Sequence, residues 1–386
     1  MRKILFVVDE NRIGGVSVVV RDILLNLDRK KYDVDLLVLH DQNEMLKDLP
    51  EHINVLYGTP FFDTIDYTLS QILKTKSLKL ILKKVRIIIG LKTGWIKYFI
   101  LNERKKILKE IKYDVEVAAK DGFTAVFTAF GDSVKKVHWL HSEYKETNSN
   151  SNYLHLFRKV LSKFEQIVAV SEGVEKQFNA IYHMENKTMV IRNLIMVDLI
   201  KARGSDNPVY YEADKINVVL VGRCHPDKGY DRMLQVIRMM YDNNQLSKLQ
   251  FHIVGDGPQR IELESIVQTN NLQQHVKFYG MVDNPYRYMK NADCVFLPSI
   301  NESFGLVAVE SQILGVPVVA TKNAATESII NNGKTGIVVE NTDEGVKTGI
   351  EQMCNQQRFS QFKMNLMNYN YDNTESLIKL NEILEE

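Results

Sequence analysis

Cysteine is scarce: the 386 residues hold three, odd in number and widely spaced. A disulfide framework is excluded on that count, and no Cys/His cluster has metal-ligand spacing. A reducing, cytoplasmic setting is the expectation. Long apolar runs are missing too. No window offers about 18 uninterrupted apolar residues, so no membrane-spanning helix is expected. Neither charge sign dominates, with 49 Lys and Arg against 48 Asp and Glu, a net +1. No repeat or low-complexity tract stands out, and no recognised nucleic-acid module accompanies the basic residues, so nucleic acid is not an expected partner. The opening Met1-Arg-Lys-Ile-Leu-Phe-Val-Val-Asp9 is too short in apolar character for a cleavable signal and reads as a buried strand.

What is present is an alternation. Apolar residues make up 45% of the chain, enough for sizeable cores, and the length fits two or three domains. Short apolar strands at 3–8, 34–39, 53–57, 114–118, 135–140, 166–170 and 188–191 are separated by helical patterns. A second series begins at Ile216 and continues near 250–254, 276–279, 293–297, 317–320 and 336–339. Strands alternating with helices imply parallel sheets. The polar, turn-rich residues 199–215, with Gly204-Ser-Asp-Asn-Pro208, are expected to link the two series.

The balanced total hides an asymmetry. Residues 1–200 carry 31 Lys and Arg against 25 Asp and Glu, while the remainder carries 18 against 23. Most of the excess lies between Lys74 and Lys112, where 13 basic residues face only Glu103 and Glu110. Leu, Ile, Trp95 and Tyr98 interleave with them, the pattern of a basic amphipathic segment that can lie on an anionic membrane surface. An ordinary helix pair with solvated lysines has the same composition.

Four strand exits carry chemistry. Val218-Val-Leu-Val-Gly222-Arg223 leads through a short loop to Lys228-Gly229 and a helix from Tyr230. Phe251-His-Ile-Val-Gly255-Asp-Gly257-Pro258 is a strand with a glycine-rich exit, and Val276-Lys-Phe-Tyr-Gly280-Met281-Val-Asp283 is another. Asp293-Cys-Val-Phe-Leu-Pro298-Ser-Ile-Asn-Glu302 runs into Ser303-Phe304-Gly305-Leu306 and then Glu310. Ser303 is placed to cap a helix beginning near Phe304, ended by Gly315 and Pro317. Glu302 then lies in the turn and Glu310 about two turns along, roughly 9 Å at 1.5 Å per residue. The N–H groups of Phe304, Gly305 and Leu306 are left to meet an anionic or hydroxyl-rich ligand. Open α/β sheets bind ligands at such exits.

These ordered features, with Ala292-Asp293 and Gly315-Val-Pro-Val-Val-Ala-Thr321, resemble the retaining glycosyltransferases of family 4, densely from Val218 to Val339 and more thinly before. The resemblance implies an α/β GT-B architecture: two Rossmann-like domains facing across a cleft, with a C-terminal helix crossing back to the first. The corresponding boundaries are 1–200 for an acceptor-binding domain, 201–370 for a nucleotide-sugar domain and 371–386 for the returning helix. Arg223 and Lys228 supply two cations for the leaving diphosphate, without a metal or other cofactor. Glu310 would take the ribose hydroxyls and Glu302 the sugar hydroxyls. Gly222 belongs to the diphosphate loop, and Gly280 and Met281 flank the base. No Asp-x-Asp pair stands at a strand exit, which disfavours a metal-dependent single-domain transferase.

In the first domain, His141 of His138-Trp-Leu-His141 resembles the family's histidine that contacts the donor sugar. Gly14-Gly15 opens a helix after the first strand, as ordinary turn chemistry or as N–H donors toward a phosphate or sugar. Ser171 is read as a helix cap, and Leu194 stands where the family usually has glycine. The reading that follows is a retaining hexosyltransferase. Its expected partners are a nucleotide sugar, UDP-linked by expectation, a glycan or lipid-linked acceptor, and the inner membrane surface, in cell-surface polysaccharide synthesis. The rivals are a non-catalytic partner subunit, which would be expected to have lost Arg223, Lys228 or Glu302, and a phosphorylase or epimerase on the same fold.

Overall fold

Residues 1–9, 14–40, 49–66, 69–142, 152–246 and 248–385 are described by a computed structural model. The chain divides into two units, Met1–Leu194 with Asn373–Glu386, and Ile195–Asp372. The first holds β1 (Arg2–Val8), β2 (Tyr32–Val38), β3 (Asn54–Tyr57), β4 (Val115–Ala118), β5 (Lys135–Leu140), β6 (Gln166–Ala169) and β7 (Thr188–Val190) in a sheet ordered β3-β2-β1-β4-β5-β6-β7. The second holds β8 (Ile216–Val221), β9 (Leu249–Val254), β10 (Val276–Gly280), β11 (Cys294–Leu297), β12 (Val318–Thr321) and β13 (Gly336–Val339), ordered β10-β9-β8-β11-β12-β13. Every pairing is parallel. In each unit the order reverses beside the first strand of the series, so the exits of β1 and β4, and of β8 and β11, flank a topological switch point.

The strands are legible because helices cover both faces of such sheets, so the central strands are buried along most of their length. Ile216–Val221 and Leu249–Val254 are buried at every position. Phe251, Phe296 and Phe362 are fully buried in the second unit's core; truncating any one to alanine would cost about 3–5 kcal/mol. Gly349 lets the helix Asp343–Met353 sit directly on the Phe296 ring, where a Cβ would meet the ring carbons at 2.9 Å.

The C-terminal helix Thr374–Glu385 belongs to the first unit. Arg2 donates to the Leu384 carbonyl at 2.6 Å, Tyr32 Oη to Asn381 at 3.0 Å, and Lys379 to the Val190 carbonyl at 3.2 Å. The residues read as a linker from 199 differ from that expectation: Val197–Ser205 is a helix within the second unit. Ile200 and Gly204 turn inward and Gly204 abuts Leu314, while the polar residues face water. A short helix with two buried positions reads as polar turn in sequence, since only its packing reveals its apolar side. Leu194, at the end of the first unit, is buried rather than forming an open turn.

Candidate active site

Gly222, Gly255 and Gly280 close β8, β9 and β10 with φ of 152°, 144° and 72°. That is backbone that residues with a Cβ avoid. Their main chains bond in series: Gly222 N–H donates to Val254 O at 3.0 Å and Gly255 N–H to Gly280 O at 2.8 Å. The result is a level platform of strand ends. Cys224 N–H donates to the Asp256 carbonyl at 2.9 Å, pinning the loop from Gly222 to Lys228 on it. Burial pushes the Cys224 thiol up to about 11, so it stays protonated and unreactive near neutral pH. Gly229, with φ of 65°, turns the chain into the helix Tyr230–Asp242, as the spacing predicts.

The switch point brings the β8 and β11 exits together. Lys228 Nζ donates to Glu302 Oε2 at 2.7 Å, with both side chains partly shielded, and Ser299 Oγ reaches the same oxygen at 3.5 Å. Arg223 is exposed and has no hydrogen-bond or ion-pair partner among the described residues. One cation is therefore anchored by a carboxylate and the other is uncommitted.

Ser303 does not cap the next helix. That helix is Leu306–Ile313, and its N-cap is Gly305 in left-handed backbone, φ 85° and ψ 42°, with no side-chain cap. Serine reads as a cap from its hydroxyl, but the chain turns two residues later, where glycine permits it. Among the described residues the N–H groups of Phe304, Gly305, Leu306 and Val307 have no acceptor. Glu310, buried in this helix, accepts from Tyr286 Oη at 2.9 Å, which fixes its carboxylate. Tyr286, Arg232 and Asn341 escape the motif reading because each acts across a large separation in sequence. Met281 is 58% exposed at the β10 exit, an apolar surface at the rim of the platform.

In the first unit Gly15 begins the helix Gly15–Asn26, as expected, with Gly14 extended before it. Ser171 caps Glu172–Tyr182 by accepting from Val174 N–H at 3.3 Å. His141 follows β5 directly. Burial pushes its imidazolium down to about 4, outweighing the Asp121 carboxylate, so the ring is neutral at physiological pH. The residue keeps an exposed edge, yet its Nε2 is closed to water and has no hydrogen-bond partner among the described residues. A neutral ring with an unsatisfied nitrogen can exchange one hydrogen bond with a ligand. Neighbouring His138 is bonded to Asp121 at 2.8 Å. Gly15 and His141 thus lie in the first unit, and Gly222, Arg223, Lys228, Gly280, Met281, Glu302 and Glu310 in the second.

Two parallel sheets with their chemistry at the strand exits define a protein of two Rossmann-like domains. Residues 13–199 match the family profile described as Glycosyltransferase Family 4, and residues 209–372 the one described as Glycosyl transferases group 1. The chain belongs to the family 4 type of glycosyltransferases and has the GT-B fold. An uncharacterised 41.2 kDa protein in the cps region of Klebsiella pneumoniae is 35% identical over 192 residues, 47% of each chain. The 2-deoxystreptamine N-acetyl-D-glucosaminyltransferase of Niallia circulans is 33% identical over 138 residues, 35% of this chain and 34% of that one. The chain thus spans about half or less of the length of these relatives. Anabaena HepE, solved in complex with UDP and glucose, shares the fold over 100% of both chains, with a TM-score of 0.71 and 20% identity.

Proposed function

We propose that the chain is a retaining, metal-independent hexosyltransferase that moves a sugar from a UDP-linked donor to a glycan acceptor in cell-surface polysaccharide synthesis. The observation that carries the reading is the Lys228–Glu302 pair beside an uncommitted Arg223 and four N–H groups without acceptors. Departure of a nucleoside diphosphate builds negative charge on its β-phosphate. Arg223 holds phosphate oxygens in its fork, Lys228 adds a point charge, and the helix start at Leu306 adds a partial positive charge. Glu310 takes the ribose hydroxyls, Glu302 a sugar hydroxyl on its remaining oxygen, and Met281 lies against the base. His141 accepts from, or donates to, a sugar hydroxyl through Nε2. The acceptor attacks from the face the diphosphate leaves, and the departing phosphate oxygen takes its proton. Charge on the diphosphate is then met by protein cations. Purified protein should release UDP from its cognate donor only when acceptor is supplied, at equal rates with and without EDTA. Loss of all activity in EDTA, restored by manganese, overturns the metal-free part. No release from any nucleotide sugar with any glycan acceptor overturns the whole.

The acceptor is proposed to be lipid-linked and met at an anionic membrane surface. Support comes from the helices Leu78–Thr93 and Ile96–Leu108, which put the basic stretch on the surface of the first unit. Leu78, Leu82, Val85 and Ile89 are 72%, 53%, 39% and 49% exposed and fall on one side of their helix at spacings of four and three. Exposed Trp95 and Tyr98 continue the apolar surface, and exposed Lys79, Arg86 and Lys92 border it. Lys84 belongs to the fold instead, donating to the Ile65 carbonyl at 2.7 Å. No described helix is long and apolar enough to cross a membrane. Vesicles rich in anionic lipid should sediment the protein at low salt and release it as salt rises. Each bordering cation contributes on the order of 1 kcal/mol. Changing Lys79, Arg86 and Lys92 together to Ser should abolish most of the binding without affecting UDP affinity. Wild-type protein left in the supernatant at low salt would sink the membrane proposal and favour a soluble acceptor.

A further inference from the structure

The Lys228–Glu302 contact depends on where the segment 298–302 lies, and this segment falls between β11 and the helix at Leu306 with no regular structure of its own. Its neighbours place it. Thr321 Oγ1 donates to the Ser299 carbonyl at 2.6 Å, and Ile300 N–H donates to the Asp227 carbonyl at 2.8 Å. A longer tie comes from Arg232 on the helix Tyr230–Asp242. Its Nη2 donates to the Pro298 carbonyl at 2.7 Å and its Nη1 to Asn341 Oδ1 at 2.8 Å. Asn341, just past β13, extends the tie, since its Nδ2 donates to the Ile300 carbonyl at 3.0 Å and the Lys322 carbonyl at 3.3 Å. One guanidinium thus links the helix after β8 to the exits of β11, β12 and β13.

Arg232 is an unusual choice for a purely structural contact. It is partly buried, and burial pushes its guanidinium below the usual arginine range against the more distant Asp343 and Asp231. It forms no ion pair among the described residues, and its Nε has no partner. Taking a cation out of water toward neutral acceptors is costly. What the fork supplies in return is direction: two donors fixed in one plane hold two loops at once. The residue lies four positions after Lys228, outside the motifs that carry the family resemblance.

We infer that Arg232 is a positioning residue for sugar transfer: through Pro298 and Asn341 it holds the 298–302 segment so that Glu302 meets Lys228. The inference rests on the proposed function, which supplies the work those two residues do. Arg232→Met keeps the apolar stem and removes the fork. Amide exchange at residues 299–302 should then quicken at least about tenfold with the melting temperature close to wild type. Turnover should fall about tenfold with little change in UDP affinity, because the loss is one of alignment. Arg232→Lys, still able to donate to the Pro298 carbonyl, should recover part of it. In a Glu302→Gln background, Arg232→Met should cost less than about twofold more, since residues acting through one contact are not additive. Unchanged exchange, or an undiminished further loss in that background, overturns the inference. Should Arg232→Met fail to fold, Asn341→Ala removes the outer half of the tie and carries the same expectations. Wild-type turnover in Glu302→Gln and Arg223→Ala would instead count against the proposed function, and exchange alone would then judge the tie.

Discussion

Lys228→Ala is expected to lower turnover about a hundredfold and Arg223→Ala about tenfold, though both side chains serve the same diphosphate. The difference comes from what each leaves behind. Removing Arg223 deletes a cation that has no partner among the described residues, so nothing else is disturbed. Removing Lys228 also strips Glu302 of the ammonium 2.7 Å away, leaving a partly shielded carboxylate unpaired where a second negative charge must develop. Lys228→Ala with Glu302→Gln should therefore be faster than Lys228→Ala alone, an unusual sign for a double mutant. Initial rates of UDP release measure all three. Both cations lie in a loop at the platform surface, so melting temperatures should stay near wild type. Wild-type rates in both single variants would remove the diphosphate assignment, and a double mutant slower than Lys228→Ala would remove the pairing argument.

Glu310→Gln is expected to weaken UDP binding about tenfold, while Glu302→Gln leaves it unchanged or slightly tighter and lowers turnover about tenfold. Glu310 is buried and its carboxylate is oriented by Tyr286 Oη at 2.9 Å, so the group is held in one direction. The amide replaces a charged acceptor with a weaker one, and a ribose contact suffers in both ground and transition states. Glu302 is different because its present partner is a cation. Its loss frees Lys228 for the diphosphate, so bare UDP has nothing to lose, while a sugar hydroxyl loses its acceptor. Calorimetry with UDP beside a transfer assay separates the two. Equal losses of UDP affinity would mean that both carboxylates grip the nucleotide.

The correspondence between sequence and fold is closest where burial is complete. Leu249–Val254, buried at every position, can be read as a strand from composition alone, and the glycines after β8, β9 and β10 stand at left-handed or otherwise strained φ that other residues avoid. The reading falters where a residue's partner decides its role. Ser303 looks like a cap, but the chain bends at Gly305. Val197–Ser205 looks like a linker, but Ile200 and Gly204 are packed inside the second unit. Lys84 looks like a surface cation, but it ties down the carbonyl of Ile65. For Ser303 the glycine two residues on decided, and in the other two cases local chemistry allowed two outcomes and a contact elsewhere in the chain chose between them.

By itself, the sequence determined the two series of parallel strands and the exits that carry Arg223, Lys228, Glu302 and Glu310, because these follow from periodicity and local backbone preference, and its ordered motifs determined the family. Only the tertiary structure decided that Lys228 and Glu302 form a pair, that Tyr286 orients Glu310 and that Arg232 reaches Pro298. Those contacts join residues 74, 24 and 66 positions apart. The Lys228 and Arg232 contacts exist because the sheet order sets β8 beside β11, and strand order arises from how helices pack on both faces, which no local stretch of sequence encodes.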